Sequence, residues 1–305
     1  MSRKTIQVLG EFGLINQIKK WVPQRKVVSG IGDDAAVFKT AGGSNQLLTI
    51  DSLVENVDFI RKKASPSQIG WKALGINLSD IAAMGGVPKV AVVSLILPKR
   101  TSVDFVKGFY AGIKKLANRF DVSIVGGDLS SGPKIAVSVA LLGQSHPKKT
   151  VLRSGAKIGD FICVSGRLGG SILKKHLTFM PRIKEGQFLA KEGVHAMIDV
   201  SDGLKQDLKH ISDESKVGAV LDERKVPVSG DALRLAGGNK RKALEHALTD
   251  GEDFELLFTI AQDQFHRLER KFKKHFSTPL TQIGRIVDPK NATLEMRKRL
   301  GFQHF

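Results

Sequence analysis

The sequence predicts an α+β protein of two domains. Three observations lead there. Along the first half, segments of strand and helix character follow the order strand, helix, strand, helix, strand, strand, an order that favours antiparallel neighbours. The second half repeats the alternation, and 305 residues are enough for two cores. Between the halves lies GQSHPKKTVLRSGAKIGD (143–160), a polar stretch with Pro and Gly and no periodicity. The expected domains are therefore 1–145 and 146–305.

The elements follow in order. From Glu11 to Val22, Leu14, Ile15, Ile18 and Val22 share one face of an amphipathic helix. Strands are expected at 37–39 and 46–50, around the turn AGGSN. Pro66 opens a long helical pattern that Gly85, Gly86 and Pro88 close. KVAVVSLIL reads as a buried strand, Thr101 or Ser102 caps a helix running to about Phe120, and DVSIV is a strand followed by a GGDLSSG turn. KIAVSVALL closes the first half. In the second half FICVSG, AMIDV, GAVLD, EDFELLFTI and a last segment read as strands. Helices are expected at 183–192, from Gly203, at 240–248 and before the last strand.

Composition excludes several classes. The net charge is +18, but the basic residues are spread along the chain and only 6% of residues are aromatic, so platforms for stacking bases are scarce. No helix-turn-helix, zinc-finger or RNA-recognition pattern occurs, and nucleic acid is not an expected partner. No apolar run approaches the roughly 20 residues that span a bilayer. The start, MSRKTIQVLGEF, lacks the apolar core of a signal peptide. Cys163 is the single cysteine, which rules out an internal disulfide and any multi-cysteine metal site. A cytoplasmic protein is expected.

The chemistry is carried by carboxylates. Asp33/Asp34 (in GIGDDAAVF), Asp51, Asp128, Asp199/Asp202 and Glu252/Asp253 are expected at strand ends or glycine turns, and Asp80 on the long helix. Gathered in space, such groups need cations between them, and an all-oxygen set suits Mg²⁺ or Mn²⁺ rather than zinc. Turn chemistry alone could explain any one of them. There is no P-loop, HExxH or GxSxG, and GIGDDA is followed by a strand pattern, which argues against a dinucleotide fold. The histidines show no ligand spacing and read as surface or packing residues.

GEFGLI, GIGDDAAVF, TIDSLVENVDF, KALGINLSDIAAMGGVP, IVGGDLSSGP, LRSGAKIGD, IDVSDGLKQDLKHI and DGEDFEL occur in this order. Together they resemble the thiamine-monophosphate kinase family, within the superfamily of aminoimidazole ribonucleotide synthetase and selenophosphate synthetase. The resemblance runs from Gly10 to the C-terminus. It implies an N-terminal α/β half that forms a dimeric β-barrel with its twin, a C-terminal α/β sandwich, and ATP in the cleft between them. It also implies ATP-dependent phosphorylation of thiamine monophosphate by a homodimer, with several Mg²⁺ ions. By position, Asp34, Thr49, the Ile50 backbone, Asp51, Asp80, Asp128, Asp199 and Asp202 match metal sites. Tyr110, Gly127, Asp128, Arg153 and Ser201 match nucleotide contacts, and Glu252 matches an acceptor contact. Two further acceptor positions depart from the family: Asp58 stands where a histidine is usual and Arg299 where a tryptophan is usual. The segment 166–182 is also shorter than in the family. A kinase or synthase with another phosphorylated acceptor is the alternative; a nucleic-acid-binding protein that lost the chemistry is the more distant one.

Overall fold

The computed structural model describes residues 5–22, 24–25, 27–40, 42–145, 150–293 and 301–302. It begins with α1 (Ile6–Trp21), kinked at Gly10, where φ is 66°. The first half then runs β1 (Ala36–Lys39), β2 (Asn45–Val54), α2 (Pro66–Ala83), β3 (Val87–Leu97), α3 (Val103–Phe120), β4 (Ser123–Ser131) and β5 (Ala136–Gln144). These strands form one sheet in the order β1-β2-β5-β3-β4. All neighbours are antiparallel except β3 and β4, which α3 joins as a parallel pair.

The second half contributes β6 (Phe161–Ser165), α4 (Lys175–Thr178), α5 (Ile183–Glu192), β7 (Ala196–Asp199), α6 (Leu204–Ser215) and β8 (Gly218–Leu221). It continues with α7 (Gly230–Leu235), α8 (Lys240–Thr249), β9 (Leu256–Ile260), α9 (Gln262–His275) and β10 (Leu280–Val287). Its sheet is antiparallel, in the order β7-β9-β6-β10-β8. The expected α+β class and the two-part arrangement of sheets are both present. β4 differs from expectation: GGDLSS continues the strand rather than forming a turn, because β3 supplies a full parallel ladder out to Ser131. Pro88 likewise falls inside β3, opposite Gly143 and beside a register shift that tolerates its missing N–H.

The helix α2 joins the halves. Ser65 and Gln68 close a reciprocal capping box and Pro66 fills the first turn, which fixes where the helix starts. It is apolar on nearly every side, as a helix buried all round must be. It packs against α3, β2 and β5 on one side and α4, α5 and β7 on the other. Its contact with α3 is backbone-close. A Cβ on Gly70 would lie 2.0 Å from Phe109 O, and one on Gly112 would lie 1.9 Å from Ser67 O.

Candidate active site

The C-terminal turn of α2 lies between β2 of the first sheet and β7 of the second. Ser79 donates to Asp199 Oδ2 at 2.5 Å across the halves. One residue on, Asp80 accepts a hydrogen bond from Thr49 of β2. Asp34 arrives from the glycine turn before β1. Oxygens of Asp34, Asp80 and Asp199 all lie within 4.8 Å of one another. Asp51, on the same inner face of β2 as Thr49, adds its charge to both Asp80 and Asp199. A helix C-terminus is the negative end of the helix dipole, so this is a costly place for carboxylates without cations.

The electrostatics reflect that cost. Burial, then the charges of Asp51, Asp199 and Asp34, hold Asp80 well above the usual carboxylate range. Burial followed by the Asp34 charge raises Asp199 to about 8. Asp33 rises to about 7 through burial and the adjacent Asp34. The cation that meets the Asp33–Asp34 pair here is Arg153. Its Nε and Nη2 donate to Asp34 Oδ1 at 3.0 and 2.5 Å, and its backbone N–H donates to Asp33 at 3.3 Å. Burial nevertheless keeps Asp34 above its ordinary value, and Asp34 Oδ2 is buried with no hydrogen-bond partner.

A second group lies on the other side of Arg153. Asp202, Asp207 and His210 converge at the start of α6. Asp207 Oδ2 accepts the N–H groups of Asp202 and Gly203 at 3.2 and 3.1 Å, while burial and the Asp202 charge raise its pKa well above normal. Burial, followed by Arg153 and Lys209, pushes His210 down to about 3, so the imidazole is neutral, and Phe12 of α1 covers it at 4.6 Å. His210 packs against Phe12, as expected of a packing histidine, and it also stands beside Asp202 and Asp207.

From there the chain leads into a cavity of about 670 Å³. Glu252 N donates to Ser201 O at 2.7 Å and Phe302 N donates to Asp202 O at 2.9 Å, so the cavity wall is built directly on the Asp202 loop. Four carboxylates line it, Asp58, Glu245, Asp250 and Glu252, among apolar groups that include Val57, Ile172, Leu235 and Phe302. Asp58 uses one oxygen to accept Val54 N at 2.7 Å. Glu252 adopts a left-handed φ of 63° and pairs with Lys72 of α2.

Other expected residues fall elsewhere. Asp128 and Gly127 sit within β4 rather than in a turn. Asp128 is exposed and pairs with Ser94 on the outer face of the sheet, while Asp51 is on the inner face. The Ile50 side chain is on that outer face too. Asp51 is in mid-strand, not at a strand end. Tyr110 lies half-buried on α3, edge-on to Phe109 at 5.4 Å. Arg299 lies outside the described residues. Asp207, His210 and Lys72 escaped the sequence reading, as did Glu245 and Asp250 of the cavity wall. The first two share one face of a helix at a spacing of three, and Lys72 is the one charge in the apolar run GWKALGINL.

Comparison with known proteins decides the family. The chain matches AIR synthase related protein, N-terminal domain, over residues 32–145 and AIR synthase related protein, C-terminal domain, over residues 151–297. It is 40% identical to the thiamine-monophosphate kinase of Rhodopirellula baltica, over 86% of this chain and 84% of that protein. The chain belongs to the thiamine-monophosphate kinase family. Its likeness to the family member from Aquifex aeolicus is 34% identity over 98% of this chain and 99% of that protein. Among solved structures, AaThiL complexed with AMPPCP and TMP superposes with a TM-score of 0.88 at 32% identity, covering 100% of both chains.

Proposed function

We propose that this protein transfers the γ-phosphoryl group of ATP to thiamine monophosphate, giving thiamine diphosphate and ADP. The observation that carries the reading is the continuity of two sites. A buried carboxylate cluster, suited to phosphate-bound cations, leads through Arg153 and the Asp202 loop into a cavity that combines four carboxylates with apolar walls. Thiamine carries a cationic ring on an apolar body, and such a cavity attracts both features. The family relationship and the ligands named for AaThiL point the same way.

The donor set fits Mg²⁺. It is all oxygen, it is crowded with negative charge, and it includes a buried unpartnered oxygen on Asp34. Asp34, Asp51, Asp80 and Asp199 would hold the ion or ions, with Thr49 and the Ile50 main chain beside them on β2 and Asp202 at the second group. Asp128, on the opposite face of the sheet, is left out of this set. Bound Mg²⁺ would neutralise phosphate charge so that two polyanions can meet. The protein's own part is to position. Arg153, anchored on Asp34 through Nε and Nη2, is assigned to a phosphate, Ser201 and Tyr110 to the nucleotide, and Asp58, Glu252 and Phe302 to the acceptor. No general base is required, because a phosphate monoester has a second pKa of about 6 and presents a deprotonated oxygen at neutral pH.

The domain division at 145/146 and the cytoplasmic location belong to the same proposal; a lone free thiol, Cys163, suits a reducing compartment. No helix among the described residues is long and apolar enough to cross a membrane. We also assign a homodimer built on the outer face of the first sheet, where Leu48, Ile50, Val92 and Ile96 are exposed. The test is ADP release with thiamine monophosphate set against a panel of other phosphorylated acceptors. Turnover confined to thiamine monophosphate supports the reading; turnover of another acceptor alone replaces it.

A further inference from the structure

Lys72 is fully buried on α2, in a helix whose neighbouring positions are core. Lysine is almost never buried this way without partners. A hydrophobic residue of similar length would fill the space without the cost of desolvating an ammonium. The charge therefore needs a reason other than packing, and its contacts supply one. Lys72 Nζ donates to the main-chain oxygen of Asp58 at 2.8 Å and pairs with the carboxylate of Glu252. These two residues come from different halves of the chain, and both line the same cavity. Glu252 is held in a left-handed backbone conformation that few non-glycine residues adopt, and its side chain remains partly open to the cavity. One buried ammonium thus ties the two acceptor-facing segments together from behind.

We propose that Lys72 is a positioning residue of the acceptor site: it fixes the Glu252 carboxylate and the Asp58 segment, and so sets affinity for the cationic acceptor without entering phosphoryl transfer. This rests on the acceptor reading of the cavity. A rigid arm matters here because a carboxylate left to rotate would lose its directed attraction for a ring cation.

The experiment is steady-state kinetics with thiamine monophosphate and ATP for Lys72→Met, Glu252→Gln and the double variant, with thermal unfolding recorded for each. Lys72→Met should raise KM for thiamine monophosphate by about tenfold or more with kcat and KM for ATP little changed, the signature of lost uniform binding. The two substitutions should be non-additive, the double variant being no worse than the weaker single one, because one residue acts through the other. Lys72→Arg keeps the buried charge but lengthens the arm, and should raise the same KM severalfold even if Lys72→Met does not fold. A wild-type KM for thiamine monophosphate in Lys72→Arg, additive effects in the double variant, or a loss of melting temperature with unchanged KM in Lys72→Met would each overturn the proposal. If the unsubstituted chain turns over no thiamine monophosphate at all, the acceptor reading falls and this inference with it. Turnover with unaltered KM in the variants removes this inference alone.

Discussion

Asp199 ends β7 fully enclosed, accepting one short hydrogen bond from Ser79 and facing the charge of Asp34. A carboxylate whose folded pKa lies above its unfolded value holds its proton more tightly in the folded chain. The stability linked to that proton is complete below the ordinary carboxylate range and is lost as pH rises through the folded value. For Asp33, at about 7, and Asp199, at about 8, the window runs from about pH 4 to about pH 8. The metal-free protein should therefore melt at lower temperature at pH 8.5 than at pH 6, and added Mg²⁺ should recover most of the difference at pH 8.5. Asp199→Asn should flatten this pH dependence and raise the melting temperature of the metal-free protein at pH 8.5, while cutting turnover by orders of magnitude. Scanning calorimetry with and without chelator, beside the ADP assay, reads both outcomes. A variant with near-normal turnover at limiting Mg²⁺ would remove Asp199 from the set.

At the scale of elements, α2 gathers most of the site, and its close packing on α3 rests on glycine. Gly112 admits the Ser67 carbonyl to a distance no Cβ permits, so Gly112→Ala must push the helices apart. A cost of about 2 kcal/mol or more is expected, with reduced activity because Asp80 rides on the displaced helix; urea unfolding gives the first figure and the ADP assay the second. The limits of α2 were legible in the sequence because Ser65, Pro66 and Gln68 are start signals that act locally. So were α3, capped by Ser102, and most of the second half's strands. The strand character of GGDLSS was not, since its ladder comes from β3, about 30 residues earlier, and local composition favoured a turn. The aspartates of the α2 site could be picked out by residue type. Their grouping could not, because Asp34, Asp80 and Asp199 meet only after α2 is placed between two sheets. Lys72 was missed for a similar reason: a lysine in a helix reads as solvated until burial shows what its ammonium touches.

At the scale of the whole molecule, part of the first sheet's outer face contrasts with the chain's basic composition. The chain carries 48 Lys and Arg residues, so any broad surface should include several. The outer face of the first sheet has rows that pair Ile50 with Ala140 and Val92, and Ser52 with Ser138, Ser94 and Asp128. No Lys or Arg stands in those rows, and Ile50 is 66% exposed. With Leu48, Ile50, Val92 and Ile96 exposed together, this face calls for a cover. The second copy proposed above would suit it, since a nearly neutral face would spare two highly basic chains from repulsion at the contact. A two-fold axis would then set each sheet against the other, and the interface would be the same patch on both. Ile50→Lys places a like charge at the centre of that contact on both copies and points away from the carboxylate cluster. It should shift sedimentation from dimer to monomer at micromolar concentration while leaving the monomer folded by circular dichroism. An unsubstituted chain that sediments as a fully active monomer at that concentration would show that this face is covered by something else.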